Sequence, residues 1–149
     1  MVYRLERTTV ISRDQASVFA FFAEAANLQR ITPPFLDFEI VTPQPIAMRA
    51  GTLIDYKMKL SGLPVRWRTL IQEFEPSSHF VDIQLKGPYR LWHHRHEFET
   101  VSGGTKMRDI VDYELPFGVI GTIARALFVR RMLDRIFDYR ASAIEEIFC

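Results

Sequence analysis

The stretch from Gly87 to Gly118, GPYRLWHHRHEFETVSGGTKMRDIVDYELPFG, constrains the fold more than any other. Two long alternating runs flank Ser102-Gly103, and a two-residue connection ending in Gly is a strong hairpin signal. If those two residues form the loop, Val101 pairs with Gly104. Counting back, Phe98 faces Met107, His96 faces Asp109, His94 faces Val111 and Trp92 faces Tyr113. Alternate side chains of a strand share a face. One face of the hairpin is therefore apolar at its ends with a His-Asp pair in the middle. The other carries Leu91, His93, Arg95, Glu97, Lys106, Arg108, Ile110, Asp112 and Glu114, and reads as solvated. An interior lined by Trp, Tyr, Met, His and Asp is an unusual core but an ordinary wall for a ligand pocket. A His bonded to an Asp on the neighbouring strand also serves as a purely structural pair. The residues alone leave both readings open.

The rest of the chain supplies what such a hairpin would pack against. Residues 2–11 read as a strand, rich in β-branched residues near Thr8, Thr9, Val10 and Ile11. Ser12-Arg13-Asp14-Gln15 has the pattern of a capping box, in which the Ser hydroxyl and the Gln amide each satisfy a backbone donor. A helix carrying Val18, Phe19 and Phe22 follows, then a second short helix over Glu24–Ile31 that Thr32-Pro33-Pro34 ends. Strands are expected over Leu36–Val41, Thr52–Leu60 and Val65–Phe74. Tyr56 and Met58 share a face on the second of these, and Trp67 and Thr69 share one on the third. Phe80–Lys86 is a further strand of ambiguous orientation. Hydrophobic counting turns Val81, Ile83 and Leu85 inward; the opposite choice sends Asp82 and Gln84 into the interior that holds His96 and Asp109.

From about Val119 to Phe148 only Gly121 disfavours a helix. Ala126, Val129, Leu133, Ile136, Phe137, Ala141, Ile144 and Phe148 recur at three- and four-residue spacing and give one wide apolar face. The element order is strand, two short helices, six strands, one long helix. Hairpin-type connections imply an antiparallel sheet, and the apolar face of the last helix must cover its concave side. The fold class is α+β in a single domain over residues 1–149, with room for a pocket between sheet and helix.

The remaining features narrow the function by exclusion. A net charge of +1 gives no argument for nucleic acid. Cys149 is the single cysteine, so neither an internal disulfide nor a cysteine-based metal site is available, which suits a reducing cytoplasm. The charged N-terminus lacks the apolar core of a signal peptide. No uncharged apolar run reaches the roughly 18 residues of a membrane span, so stable membrane insertion is not expected. The sequence leaves a homodimer open.

Several segments together carry a family resemblance: Asn27-Leu28 with Ile31-Thr32-Pro33-Pro34; Gly62-Leu63-Pro64 with Trp67; Phe80-Val81-Asp82 with Gln84 and Gly87-Pro88; Trp92 to Phe98; Asp109 with Tyr113 to Gly118; and Ile136 to Arg140. In this order, from about residue 3 to residue 148, the chain resembles the START-like or SRPBCC superfamily, the helix-grip fold. More narrowly it resembles the bacterial ligand-binding members labelled cyclase/dehydrase-like. The resemblance implies a curved seven-stranded antiparallel sheet, two short helices after the first strand, and a long C-terminal helix over the concave face. It implies a cavity for a small hydrophobic or amphipathic molecule such as a lipid, polyketide or isoprenoid. It also favours turning Phe80, Asp82 and Gln84 inward.

Four readings follow. As a binding protein, the chain would use Tyr56, Met58, Trp67, Trp92, Tyr113 and Phe128 as apolar wall, and Asp82, Gln84, His94, His96 and Asp109 to fix a ligand's polar end. As a cyclase- or dehydratase-type enzyme, it would use His96, oriented by Asp109, as an acid/base pair, because imidazole titrates near neutrality. No nucleophile motif accompanies that pair, and a non-enzymatic role is the leading expectation. A metal site at His94, His96 and Asp109 is the third, with His93 pointing away; an H-x-H pair on a strand is weak evidence alone, and no metal or cofactor is expected. The fourth is a partner-binding surface at Arg125, Arg130, Arg131, Arg135 and Arg140. Against it stands a solvated helix face with Asp134, Asp138 and Glu145 as counter-charges.

Overall fold

The structure, a computed structural model, describes residues 1–116 and 122–148. Strand β1 (Val2–Ile11) leads into helix α1 (Gln15–Phe22) and two 3₁₀ segments, Ala25–Ile31 and Pro34–Leu36. Strands β2 (Glu39–Ile40), β3 (Leu53–Leu60), β4 (Leu63–Glu75), β5 (His79–Lys86), β6 (Leu91–Val101) and β7 (Gly104–Glu114) follow, and helix α2 (Thr122–Phe148) ends the chain. All seven strands form one antiparallel sheet in the order β1-β7-β6-β5-β4-β3-β2. The chain thus runs as a meander from β2 to β7, and the first strand docks beside the last.

The β6–β7 hairpin has the register that the sequence predicts, with Val101 opposite Gly104, His96 opposite Asp109 and Trp92 opposite Tyr113. Its inward positions are buried one after another: Trp92, His94, His96 and Phe98 on β6, and Met107, Asp109, Val111 and Tyr113 on β7. Gly104 closes the turn because a Cβ there would stand 2.1 Å from the Ile11 carbonyl oxygen at the end of β1.

The 27 residues of α2 span roughly 40 Å, enough to cross the sheet. Leu133 and Phe137 enter an apolar cluster with Leu5, Ile54, Trp67 and Trp92, while Ile144 joins a second with Phe19, Phe80, Phe98 and Met107. Burying side chains of this size stabilises by about 1.5–3 kcal/mol each. On the outer flank, Arg7 of β1 ties down α2 through Asp138 at 2.7 Å and Asp134 at 2.8 Å. No helix among the described residues is long and apolar enough to cross a membrane. The expected helix start near Val119, the Phe117-Gly118 end of the family-like segment, and Cys149 lie outside the described residues.

Two local expectations are corrected. The N-cap of α1 is Asp14, whose carboxylate accepts from the Ser17 backbone N–H at 3.0 Å and from its hydroxyl at 2.7 Å. Gln15 is not part of a capping box. Its amide donates to the Ser77 and Phe98 carbonyls and accepts from Thr100, stapling α1 to the sheet. The strand expected over Leu36–Val41 shrinks to Glu39–Ile40. Pro34–Leu36 winds as 3₁₀ and Asp37 takes a left-handed φ of 46°, which interrupts the extended run. The second short helix, expected over Glu24–Ile31, is present as the 3₁₀ segment Ala25–Ile31.

Candidate functional site

Strand β5 pairs with β6 without a register shift, Phe80 opposite His96 and Asp82 opposite His94, which fixes its orientation. Against β4, a register shift falls between Ile71 and Glu73, so that Ile71 faces Asp82 while Glu73 faces Val81. A bulge of this kind re-aims side chains beside it. Phe80 and Asp82 point into the interior, against simple hydrophobic counting, and Phe80 stacks on the His96 ring at 4.0 Å between centroids. Between the sheet, the 3₁₀ segment Ala25–Ile31 and α2 lies a cavity of about 190 Å³. Its wall is mostly apolar and aromatic: Phe22, Leu28, Ile54, Tyr56, Met58, Trp67, Tyr89, Trp92, Met132, Ile136 and Phe137. Trp67 and Trp92 meet edge to face at 5.2 Å, and Tyr89 packs on Trp92 at 4.9 Å.

One wall carries ionisable groups. His94 and His96 stack with centroids 3.7 Å apart, sandwiched between two carboxylates on the flanking strands. Asp82 of β5 lies 2.7 Å from His96 Nε2, and Asp109 of β7 lies 2.8 Å from His94 Nε2. The bonding is thus diagonal. Asp109 sits opposite His96 in the register but bonds His94, and Asp82 sits opposite His94 but bonds His96. The expected His96–Asp109 pair is corrected accordingly: His96 Nδ1 lies 3.4 Å from Asp109 Oδ1 and makes no hydrogen bond among the described residues. From α2, Arg140 Nη2 donates to the same Asp109 oxygen at 3.3 Å, and its guanidinium lies over the Phe22 and Phe137 rings.

These contacts set the protonation states. Burial opposes ionisation of Asp109, but the Arg140 charge, the bond from His94 and the nearby His96 ring outweigh it and hold the carboxyl well below its usual range. Burial likewise opposes ionisation of Asp82, and His96 with the neighbouring cations brings its pKa down. Both carboxylates accept, so the imidazole nitrogen donates in each bond. Burial and then the His96 charge lower the pKa of His94. For His96, burial lowers it, but Asp109 and Asp82 together carry it above its usual value. The cause is geometric, since a proton on Nδ1 turns a lone pair facing a carboxylate into a cation facing one. Burial, reinforced by Asp82, keeps the Tyr56 phenol neutral.

Seven of the expected site residues line the cavity: Tyr56, Met58, Trp67, Asp82, Trp92, His94 and His96. Four do not. Asp109 stands behind the histidines and supports them. Gln84 turns to the β5–β6 connection, donating to the Tyr89 carbonyl at 2.7 Å and accepting from its N–H at 3.0 Å. A Cβ at Gly87 would meet that amide at 2.5 Å, which is why the connection carries glycine there. Tyr113 is buried among Tyr3, Tyr89 and Trp92, and Phe128 faces outward on α2, 57% exposed. Arg140 is the residue that sequence reasoning misplaced, grouped with a solvated basic face. Its position was readable, because Leu133, Phe137, Arg140 and Ile144 fall on one buried helical stripe. Among groups able to hold a metal, Asp82, His94 and His96 present donor atoms that all lie within 4.8 Å of one another.

Comparison with known proteins agrees with this architecture. The family model described as "Polyketide cyclase / dehydrase and lipid transport" matches residues 11–137. The Zhui aromatase/cyclase from Streptomyces sp. R1128 superposes with a TM-score of 0.76 at 14% identity, covering 98% of this chain and 93% of that one. A Thermus thermophilus protein gives 0.67 at 20% identity, covering 98% and 95%. A START superfamily protein from Mycobacterium smegmatis gives 0.66 at 12%, covering 97% and 96%. Identities this low speak for the fold alone. No curated protein matches the chain significantly.

Proposed function

Because the chain belongs to the polyketide cyclase / dehydrase and lipid transport family, we propose that it binds a small, compact apolar or amphipathic molecule in the cavity under α2. The polar end of that molecule lies against Asp82, His96 and Arg140. The observation that carries this reading is a largely aromatic cavity of about 190 Å³ whose lining includes the ionisable groups Asp82, His94, His96 and Arg140. A dry apolar cavity of about 150 Å³ accepts benzene. The space here suits one or two fused rings, and a long acyl chain needs α2 or the 3₁₀ segments to move. Asp82 and Asp109 already engage His94, His96 and Arg140, so a neutral head group with a carbonyl or hydroxyl suits the wall better than a further carboxylate.

Both tryptophans of the protein, Trp67 and Trp92, line the cavity, so intrinsic fluorescence reports on it directly. Titration with naphthalene, 1-naphthol, 1-naphthoate and palmitate is the test. Saturable quenching by the first two, weaker response to 1-naphthoate and none to palmitate is expected. No saturable response to any of them, and no co-purifying small molecule by native mass spectrometry, would remove the reading.

A second reading, acid/base catalysis of a cyclase or dehydratase type, draws on His96 facing the cavity with Asp82 as its bonded partner. It replaces Asp109 with Asp82 as the orienting carboxylate. Turnover of a cyclisable polyketone lost in both His96→Gln and Asp82→Asn would support it, and unchanged turnover in both would remove it.

A further inference from the structure

We infer that Asp82, His94 and His96 form a binding site for a divalent transition-metal ion of the zinc class, open to the apolar cavity and braced from behind by Asp109 and Arg140. The inference deepens the ligand-binding reading and rests on it for the occupant, whose polar end the ion would hold.

The donor atoms stand close to where such an ion needs them. Asp82 Oδ2 is 2.7 Å from His96 Nε2 and 3.9 Å from His94 Nδ1. Metal bonds of about 2.0–2.1 Å to nitrogen and oxygen set neighbouring donors of a tetrahedron roughly 3.3 Å apart. Opening the first gap and closing the second by about 0.6 Å each meets that spacing, and all three donor atoms already lie within 4.8 Å of one another. Two imidazoles with one carboxylate suit zinc and its first-row neighbours, and they discriminate against magnesium and calcium, which prefer all-oxygen sites.

The support behind the donors is the second observation. A histidine that ligates a metal usually gives its other ring N–H to a carboxylate, which fixes the tautomer and the ring plane. Here the rear nitrogens of both rings face a single oxygen, Asp109 Oδ1, at 2.8 Å from His94 Nε2 and 3.4 Å from His96 Nδ1. Arg140 anchors that same oxygen. His96 Nδ1, without a hydrogen-bond partner among the described residues, becomes the N–H aimed at Asp109 once Nε2 is given to a metal.

Charge is consistent with this. Once both imidazoles are deprotonated, as metal ligation requires, Asp82 and Asp109 against Arg140 leave the buried cluster at one net negative charge, and uncompensated buried charge is costly. A divalent cation compensates it. With three protein donors on one wall, the fourth position of the ion faces the cavity, the arrangement of sites that bind a ligand and not of closed structural ones.

The test uses the full chain, without a histidine tag and stripped with EDTA. Zn²⁺ is titrated by calorimetry and Co²⁺ by visible absorption, with ¹⁵N spectra of the histidine rings as a reading that needs no variant. One ion per chain is expected, with His94 Nδ1 and His96 Nε2 shifting on Zn²⁺ addition while the His93 and His79 rings do not. Asp82→Asn and His96→Gln should each weaken binding at least tenfold. Asp109→Asn should weaken it about 10–100-fold at unchanged stoichiometry, and His93→Gln should leave it unchanged. The inference is overturned by the absence of 1:1 binding, by ring shifts confined to His79 or His93, or by wild-type affinity in both Asp82→Asn and His96→Gln. Naphthalene binding measured in EDTA separates the two readings. Its persistence in a protein that takes no metal leaves the cavity reading standing, and its absence in a protein that does take metal removes only that one.

Discussion

His96 donates across the sheet to Asp82 at 2.7 Å, while Asp109, its register partner on β7, bonds His94 instead. The two bonds cross because the imidazoles stack and each reaches a carboxylate on the diagonal. The consequence is a division of labour. Asp109 is enclosed by His94, His96 and Arg140, whereas Asp82 has one side on the cavity.

That asymmetry predicts unequal stability costs. Asp109→Asn leaves Arg140 buried beside a neutral amide, and breaking a buried pair from one side costs about 3–5 kcal/mol. Asp82→Asn loses a charge-assisted bond at a group that opens on the cavity, a cost of about 1.5–3 kcal/mol. Urea denaturation of the two variants checks this, and an Asp82→Asn cost equal to or above that of Asp109→Asn would contradict the assignment of Asp109 as the enclosed member.

The same carboxylate sets the acid response of the metal-free protein. Its folded pKa lies well below 3.8, so its contribution is fully present above the unfolded value and is lost as pH falls through the folded one. Between about pH 4 and pH 2, the wild type should therefore lose stability more steeply than Asp109→Asn, which starts lower and has no carboxyl to protonate there. Parallel slopes in chemical denaturation across that range would show that Asp109 is not held ionised by its surroundings.

The start of α1 offers a cleaner local test. Asp14→Ala removes the side chain that caps Ser17 and should cost about 1 kcal/mol. Ser12→Ala should change stability by less than about 0.5 kcal/mol, because Ser12 lies outside the cap. Thermal melts of the two variants distinguish them, and the reverse order would restore the capping box that the sequence pattern suggests.

The legible and illegible parts of the sequence divide along physical lines. The β6–β7 register followed from period-two alternation around one Gly turn, a signal local to the hairpin. The sheet-facing stripe of α2 at Leu133, Phe137 and Ile144 followed from period 3.6. What escaped was set by partners far away in sequence. Gln15 fits a capping box until Ser77 and Phe98 arrive to compete for its amide. Asp82 points inward because β5 pairs with β6 so that Asp82 stands opposite the inward-facing His94, a partner that no residue of β5 announces. Gln84 shares the inward parity of Asp82 but lies near the strand end, where Tyr89 claims it. Arg140 reads as a surface residue by its charge, although its helical phase with Leu133 and Phe137 places it inside. Residue type outweighed periodicity there, and the ion pair with Asp109 is what makes the burial tolerable.

That pair should be energetically coupled, which a double-mutant cycle can measure. Arg140→Met keeps an unbranched side chain beside Phe22 and Phe137 but leaves Asp109 with only the His94 imidazole as donor, and should cost about 3–5 kcal/mol. In Asp109→Asn with Arg140→Met, neither a bare carboxylate nor a bare guanidinium remains. The double variant should be more stable than the sum of the single costs implies, by about 1–3 kcal/mol. Variants at Arg135, which lies over the exposed Phe35 ring at 4.5 Å, should add to Asp109→Asn without coupling. If the Arg140 cycle closes additively, the guanidinium is held by its aromatic neighbours and not by Asp109, and the bracing role given to it behind the histidines falls with that result.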